Sequence, residues 1–394
     1  MKIIHTEQSR SKLESLQLQA ESKFVHDRPK DLDESLFNSQ SSFDYFSSFK
    51  NELPTKYEDP VEYPKLAYLL PIVANMMRKS GYPLPDQLSI GTVCFGSINA
   101  HIIPINENTE EYLLVINRRI TKFIEFFSRF IASAVSTEIE SINTGSSFRK
   151  RLPTNTELSQ LNGILFYLIN KILFRRKQDR SINYVVVGDI ALEPPLVALN
   201  VVTKGYRELL TFSMYSFVLA HELCHLSIIK QRANEDCLKL DTVFDEELYC
   251  DSQGCLIATG VMVDMFGNAY PPGWQRWGTV GSVFFLSCVD LLQKASHVLE
   301  TGTSPPLIMT NVDLEEIENN TIFSYPTPLF RSLYTRATLL NELNHNGEPT
   351  SGVFEYCDWV SDLLHDSWGK LENEFTLRHK YVKSAENKFY KYEA

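Results

Sequence analysis

The chain has 394 residues, 43 % of them hydrophobic and 22 % charged, with a formal net charge of −11. This is an ordinary composition for a globular protein of one or two domains, and the acidic balance argues against a nucleic-acid partner, which needs a basic face. Seven cysteines without paired spacing argue against a disulfide framework and read as buried thiols in a reducing compartment, so a cytoplasmic location is expected.

The chain starts on "MKIIHTEQSRSKLESLQ", which lacks the apolar core of a secretory signal. Residues 1–60 are polar, with a Ser-, Asp- and Pro-rich stretch, and are expected to form a peripheral arm carrying one or two helices. A helical apolar pattern begins near Tyr63 and is broken by "GYPLPD" (Gly81–Asp86). The β-branched stretch from Ser89 to Ile120, interrupted by "NENTEE", reads as two strands joined by a turn.

Helices are expected over 121–141 and 156–176, followed by a basic run, Lys171–Arg180, that reads as a solvated helix end. "INYVVVGDI" (Ile182–Ile190) reads as a short buried strand. Further helices are expected at roughly 208–231, 244–262, 277–299, 328–344 and 353–375. The class is therefore α+β, mainly helical, with a small early sheet. No stretch meets the length of a charge-free membrane span; 161–174 and 278–292 come nearest and read as buried helices.

"FVLAHELCHLSII" (Phe217–Ile229) concentrates the chemistry. His221 and His225 are four apart and share one side of a helix, yet the positions around them are apolar on every face, as in a buried helix. Imidazoles and a carboxylate in such a place need partners. A divalent cation supplies them: two imidazoles one turn apart bind Zn²⁺, and Glu222 between them is placed to take a proton from water.

A catalytic zinc also needs a third protein ligand. "DEELYCDSQGCLIA" offers Glu247 and Asp251, again four apart on a helix. Glu247 is the expected ligand, and Asp251 the acceptor for the spare N–H of a ligating imidazole. Glu246 is the rival to Glu247, although Asp245 and Glu246 also read as an acidic first turn stabilising a helix N-terminus. Gly254 would let this helix approach the first closely.

His221-Glu-x-x-His225 followed by Glu247-x-x-x-Asp251 resembles the gluzincin metallopeptidases. "NAHIIP" (Asn99–Pro104) is similar to the Asn-Ala edge strand of the CAAX-protease and heat-shock zinc-metallopeptidase family, and "SYPTPLFRSLYTRATLL" to that family's late His-Pro-x4-Arg segment. Pro326 and Arg331 match in spacing, while Tyr325 stands where that family has histidine. The phage-exclusion, Lit-like proteases are a looser likeness.

The resemblance implies a zincin-like fold at 61–345, with a helical insert at about 120–180, flanked by the arm at 1–60 and a helical extension at 346–394. It implies an edge strand that lines the active-site cleft, with Asn99 and Ala100 pairing to an extended peptide. It also implies one Zn²⁺ per chain and an oxyanion stabilised by Tyr325, assisted by Arg331; the roles open to Arg331 are to hold Tyr325, to pair with a carboxylate or to touch substrate. For Asn99, Tyr325 and Arg331 the structural alternatives are a turn cap, a Pro-flanked helix start and a surface arginine. His101 and the tryptophans Trp274 and Trp277 read as structural.

The expected activity is hydrolysis of peptide bonds in a protein or peptide substrate, without stable membrane insertion and with gating by the arm, the insert or a regulatory partner. The competing readings are an interaction or sensor protein that keeps the zinc scaffold and a zinc hydrolase of small amides.

Overall fold

A computed structural model describes residues 2–21, 53–59, 62–93, 100–106, 111–134, 162, 163, 165, 166, 169, 201–233, 240, 242–266, 280–304, 327–345 and 351–389. In chain order the elements are β1 (Lys2–Ile3), α1 (Glu7–Glu21), α2 (Glu62–Lys79), β2 (Gln87–Val93), β3 (Ala100–Pro104), β4 (Tyr112–Asn117), α3 (Arg118–Ala134), α4 (Val201–Ala233), α5 (Val243–Phe266), α6 (Gly281–Thr301), α7 (Pro328–His345) and α8 (Ser351–Phe389). Helix accounts for 78 % of the interpretable residues and the strands form one small mixed sheet, which is the α+β class expected.

The sheet order is β1-β2-β4-β3. β2 runs parallel to β1 and to β4, with Ser89 opposite Leu113 and Val93 opposite Asn117. Parallel strands are covered on both faces and read as apolar runs; β2 is buried from Leu88 to Val93 and β4 from Leu113 to Asn117. β3 pairs antiparallel with β4 and closes the described order as an edge, ending at Pro104 opposite Tyr112. Proline is confined to such edges because it cannot donate to a ladder.

The stretch expected to form two strands therefore forms three. Periodicity did not resolve β2 from β3, whose more exposed, uneven pattern follows from its place at the edge.

The amino-terminal residues are more deeply integrated than a peripheral arm. β1 joins the sheet, and Leu13 of α1 packs with Val93, Leu113 and Val115. A polar cluster ties the same region down. Glu58, 2 % exposed, accepts from Gln17 Nε2 at 3.1 Å, from the Thr92 amide at 3.0 Å and from the Thr92 hydroxyl. Arg118 Nε donates to the Thr92 hydroxyl at 2.8 Å, and Thr55 donates to Gln17 at 2.5 Å.

α2 stops where "GYPLPD" says it should. Gly81 adopts φ +87°, and the amides of Gly81 and Tyr82 return to the carbonyls of Arg78 and Met77, both at 3.0 Å. That is the left-handed cap glycine permits.

The protein divides into two compact units. The first comprises Met1–Glu125, Phe212–Leu240 and Tyr249–Gly267; the second comprises Phe126–Thr211, Asp241–Leu248 and Asn268–Ala394. The core of the first is the sheet with α1 and α2. In the second, α6 packs on α7 and α8: Phe284 meets Tyr356 edge-on at 5.2 Å, and the Ser332 hydroxyl donates to the Val283 carbonyl at 3.1 Å.

Helix α4 differs from expectation in one respect. By length and composition its Lys204–Arg232 portion could cross a membrane, at a mean hydropathy of 1.3, but 78 % of its apolar window is buried within the protein. Apolar neighbours on every side give a core helix the same composition as a span. The expected strand at 182–190, the basic run 171–180, Trp274, Trp277, Asn99, Tyr325 and Pro326 lie outside the described residues.

Candidate metal centre

Two helices carry the site. α4 is buried around the motif: Phe217, Leu219, Leu223, Cys224, Leu226 and Ile228 are at most 2 % exposed. A long apolar helix of this kind is held by packing rather than by propensity, so side chains on its face keep fixed positions.

The start of α5 is set locally. Thr242 Oγ1 accepts from the Asp245 amide at 3.1 Å, while the Asp245 carboxylate accepts from the Thr242 amide at 3.2 Å and hydroxyl at 2.7 Å. This reciprocal capping box fixes the first turn and so fixes where Glu247 emerges. Asp245 thus serves the helix terminus, as its first-turn position suggested.

His221 and His225 stand one turn apart, rings 4.8 Å between centroids at 78°. Their Nε2 atoms are 3.1 Å apart. Glu247 joins them: one donor atom from each of His221, His225 and Glu247 lies within 4.8 Å of the others. Two donors on a tetrahedral zinc at ~2.0–2.1 Å are roughly 3.3 Å apart, so the imidazole pair already has the separation of two ligands of one ion. An imidazole-to-imidazole hydrogen bond would account for that pair alone. It would not account for a carboxylate converging on the same point, in a place where His221 and Glu247 are each 8 % exposed. Two imidazole nitrogens with one carboxylate oxygen form a donor set that divalent transition metals accept, zinc and iron among them.

The supporting groups are in place. Asp251, fully buried, brings Oδ1 to 3.0 Å from His221 Nδ1. A carboxylate at that distance favours the tautomer of His221 protonated at Nδ1, which puts the lone pair on Nε2, 3.1 Å from His225 Nε2. Arg331 on α7 brings a guanidinium nitrogen to 3.3 Å from Glu247 Oε2.

Gly254 is where α5 approaches α4. A Cβ there would stand 3.2 Å from the His221 backbone nitrogen and 3.4 Å from its Cα, so the absence of a side chain is what admits the close packing. Glu222 lies half-buried beside His221 on α4.

The two histidines and Glu247, drawn from separate stretches of sequence, thus come together, with Asp251 and Arg331 in contact with them. The contact between Arg331 and Glu247 was one of several roles the sequence allowed for this arginine. Ala100 begins the edge strand, 7 % exposed and opposite Ile116. What spacing could not show is the aromatic neighbourhood of Glu247, where Phe244 meets Phe330 with centroids 5.6 Å apart. Comparison of the chain with protein-family models, curated proteins and solved structures found no match.

Proposed function

We infer that this chain is a zinc-dependent metallopeptidase of the gluzincin kind, with one Zn²⁺ held by His221, His225 and Glu247. The observation that carries the reading is the convergence of those three donors within 4.8 Å, with Glu222 on the same helix as both histidines. A merely structural site has no use for an additional carboxylate beside two ligands.

Bound there, zinc would supply Lewis acidity toward a carbonyl oxygen and would acidify water toward a pKa of ~7. Glu222 takes the proton of the attacking water and delivers it to the leaving amine. Asp251 holds His221 in one tautomer and raises its basicity as a ligand. Arg331 orients the Glu247 carboxylate and offsets its charge, so its part is positioning. Tyr325 is the proposed donor to the oxyanion, and β3, which begins at Ala100, is the proposed strand on which an extended peptide lies, with Asn99, the preceding residue in sequence, proposed to contact it.

The buried thiols Cys224, Cys250, Cys255, Cys288 and Cys357 fit a reducing, cytoplasmic setting. The burial of α4 favours a protein that is not inserted in a membrane.

The test pairs metal analysis with a Glu222→Gln variant, using new peptide termini in expressing cells as the activity readout. One zinc per chain in both proteins is expected, with the termini lost in the variant. A wild-type protein that takes up no stoichiometric zinc, or a variant that generates the same termini, overturns the reading.

A further inference from the structure

The seam between α5 and α7 has two adjacent rungs. One is the Glu247–Arg331 ion pair, at 3.3 Å. The other joins residues just before each partner. Phe244 is three positions ahead of Glu247, about 4.5 Å along the helix axis, and its ring lies 5.6 Å from that of Phe330, the neighbour of Arg331. Phe330 in turn stacks on Tyr334, with centroids 6.3 Å apart and planes 22° from parallel. The result is a row of three rings beginning one helical turn from a proposed metal ligand.

Tyr334, at the end of the row, is 44 % exposed, and its neighbour Leu333 on α7 and Val243, which precedes Phe244 on α5, are 51 % and 59 % exposed. Exposed apolar groups scattered singly need no explanation, but a chain of ring contacts that ends on an exposed tyrosine, beside a candidate reaction centre, offers a contact surface. Stacked rings lose little freedom on receiving a ligand and offer large apolar area. The acidic first turn of α5, Asp245 and Glu246, disfavours an acidic side chain.

We propose that the Phe244–Phe330–Tyr334 row is the subsite that receives a large apolar or aromatic side chain of the peptide, within one residue of the bond to be cleaved. This rests on the peptidase reading above and sets its substrate class: extended peptides with an apolar anchor beside the scissile bond.

The experiment uses full-length Glu222→Gln protein loaded with zinc, so that binding is read without turnover. Fluorescein-labelled decapeptides identical except for one central residue (Phe, Leu, Ala, Asp or Arg) are titrated by anisotropy. Phe and Leu peptides are expected to bind about tenfold or more tighter than Ala, Asp and Arg peptides. Tyr334→Ser, a change at an exposed position, should remove most of that preference without altering zinc content or the melting temperature. Phe330→Leu, which keeps apolar volume, should lower the preference for Phe over Leu.

Binding with no preference among the five, no binding at all, or a preference untouched in Tyr334→Ser and Phe330→Leu overturns the subsite. Cleavage by the wild type separates the two claims. A preference in binding with no cleavage of the Phe and Leu peptides leaves the subsite and sinks the peptidase. Cleavage without preference does the reverse.

Discussion

Two of the buried carboxylates among the described residues, Glu58 and Glu247, sit in surroundings built on opposite principles. Around Glu58 every demand is met from inside: a glutamine side chain, a backbone amide and a threonine hydroxyl all donate to one carboxylate, with Arg118 one bond further out. Around Glu247 the groups converge instead as electron-pair donors, two imidazole nitrogens and a carboxylate oxygen within 4.8 Å. A cluster closed by its own donors stabilises a fold. A cluster of converging lone pairs at low exposure is arranged for a cation. Substitutions in the first place should therefore change stability and leave metal content alone, and substitutions in the second should do the opposite.

The largest effect expected is from His225→Ala and Glu222→Gln taken together. His225→Ala should abolish both stoichiometric zinc and peptidase activity. Glu222→Gln should retain zinc while lowering kcat/KM by about 10²- to 10⁴-fold, the range for removing a general base. Metal analysis beside a peptide-cleavage assay separates the two. If Glu222→Gln lost zinc as fully as His225→Ala, Glu222 would be a ligand and the division of roles would fall.

Glu58 gives the next largest effect, read as a dependence of stability on pH. Burial raises its pKa from 4.5 to about 7, against the opposing pull of the Thr92 hydrogen bonds. Below pH 4.5 the group is protonated whether folded or not, and above 7 it is charged in both states. As pH rises through that window the folded state loses stability, by about 3 kcal/mol in total. His5 runs the other way. Burial and Arg10 lower its pKa from 6.5 to about 4, so its contribution falls as pH drops below 6.5. The two slopes oppose in the wild type. Urea denaturation of wild type and Glu58→Gln at pH 5 and pH 8 should show the difference between them shifting in favour of the wild type at pH 5. Equal differences at both values would mean that Glu58 is not buried as a titrating group. Zinc content should be the same in both proteins.

Asp251→Asn tests the outer support of the metal site. Its carboxylate at 3.0 Å from His221 Nδ1 should make zinc affinity about 10- to 100-fold tighter than an amide does, the usual weight of such partners. Competition with a chromogenic chelator measures this. An unchanged affinity would reduce Asp251 to a structural carboxylate like Glu58 and blur the distinction between the two clusters.

How much of this was legible in the sequence follows the same division. The helix faces were readable because periodicity reports burial: Ile120, Phe123, Ile124, Phe127, Phe130 and Ile131, all buried at helical spacing in α3, announce themselves. The donor set was readable because zinc demands residue types at one-turn spacing, so His221, His225 and Glu247 could be named before their positions were known. The Glu58 cluster was not readable. Its members, Gln17, Thr55, Glu58, Thr92 and Arg118, are polar residues scattered over a hundred positions with no periodic relation, and only the fold brings them together. For the same reason the amino-terminal residues read as a peripheral arm, although β1 joins the sheet and Leu13 of α1 packs against it. Their burial depends on partners far away in sequence, which local pattern does not register.

Gly254→Ala is the smallest change and the one most able to blur the contrast, because it acts through packing yet reaches the candidate metal site. The added methyl would sit 3.2 Å from the His221 nitrogen and 3.4 Å from its Cα, both backbone atoms of a helix that cannot swing aside. α5 must then retreat by a few tenths of an ångström, at about 1 kcal/mol, the low end for overpacking. Asp251 and Glu247 ride on that helix, three and seven residues before Gly254, so the retreat also draws both away from His221. Zinc affinity should fall by a few-fold alongside the small loss of stability, whereas the pH slope assigned to Glu58 should be unchanged. A loss of stability with zinc affinity intact would mean that the site tolerates looser packing than its buried geometry implies. An altered Glu58 slope would mean that the two clusters do not respond independently.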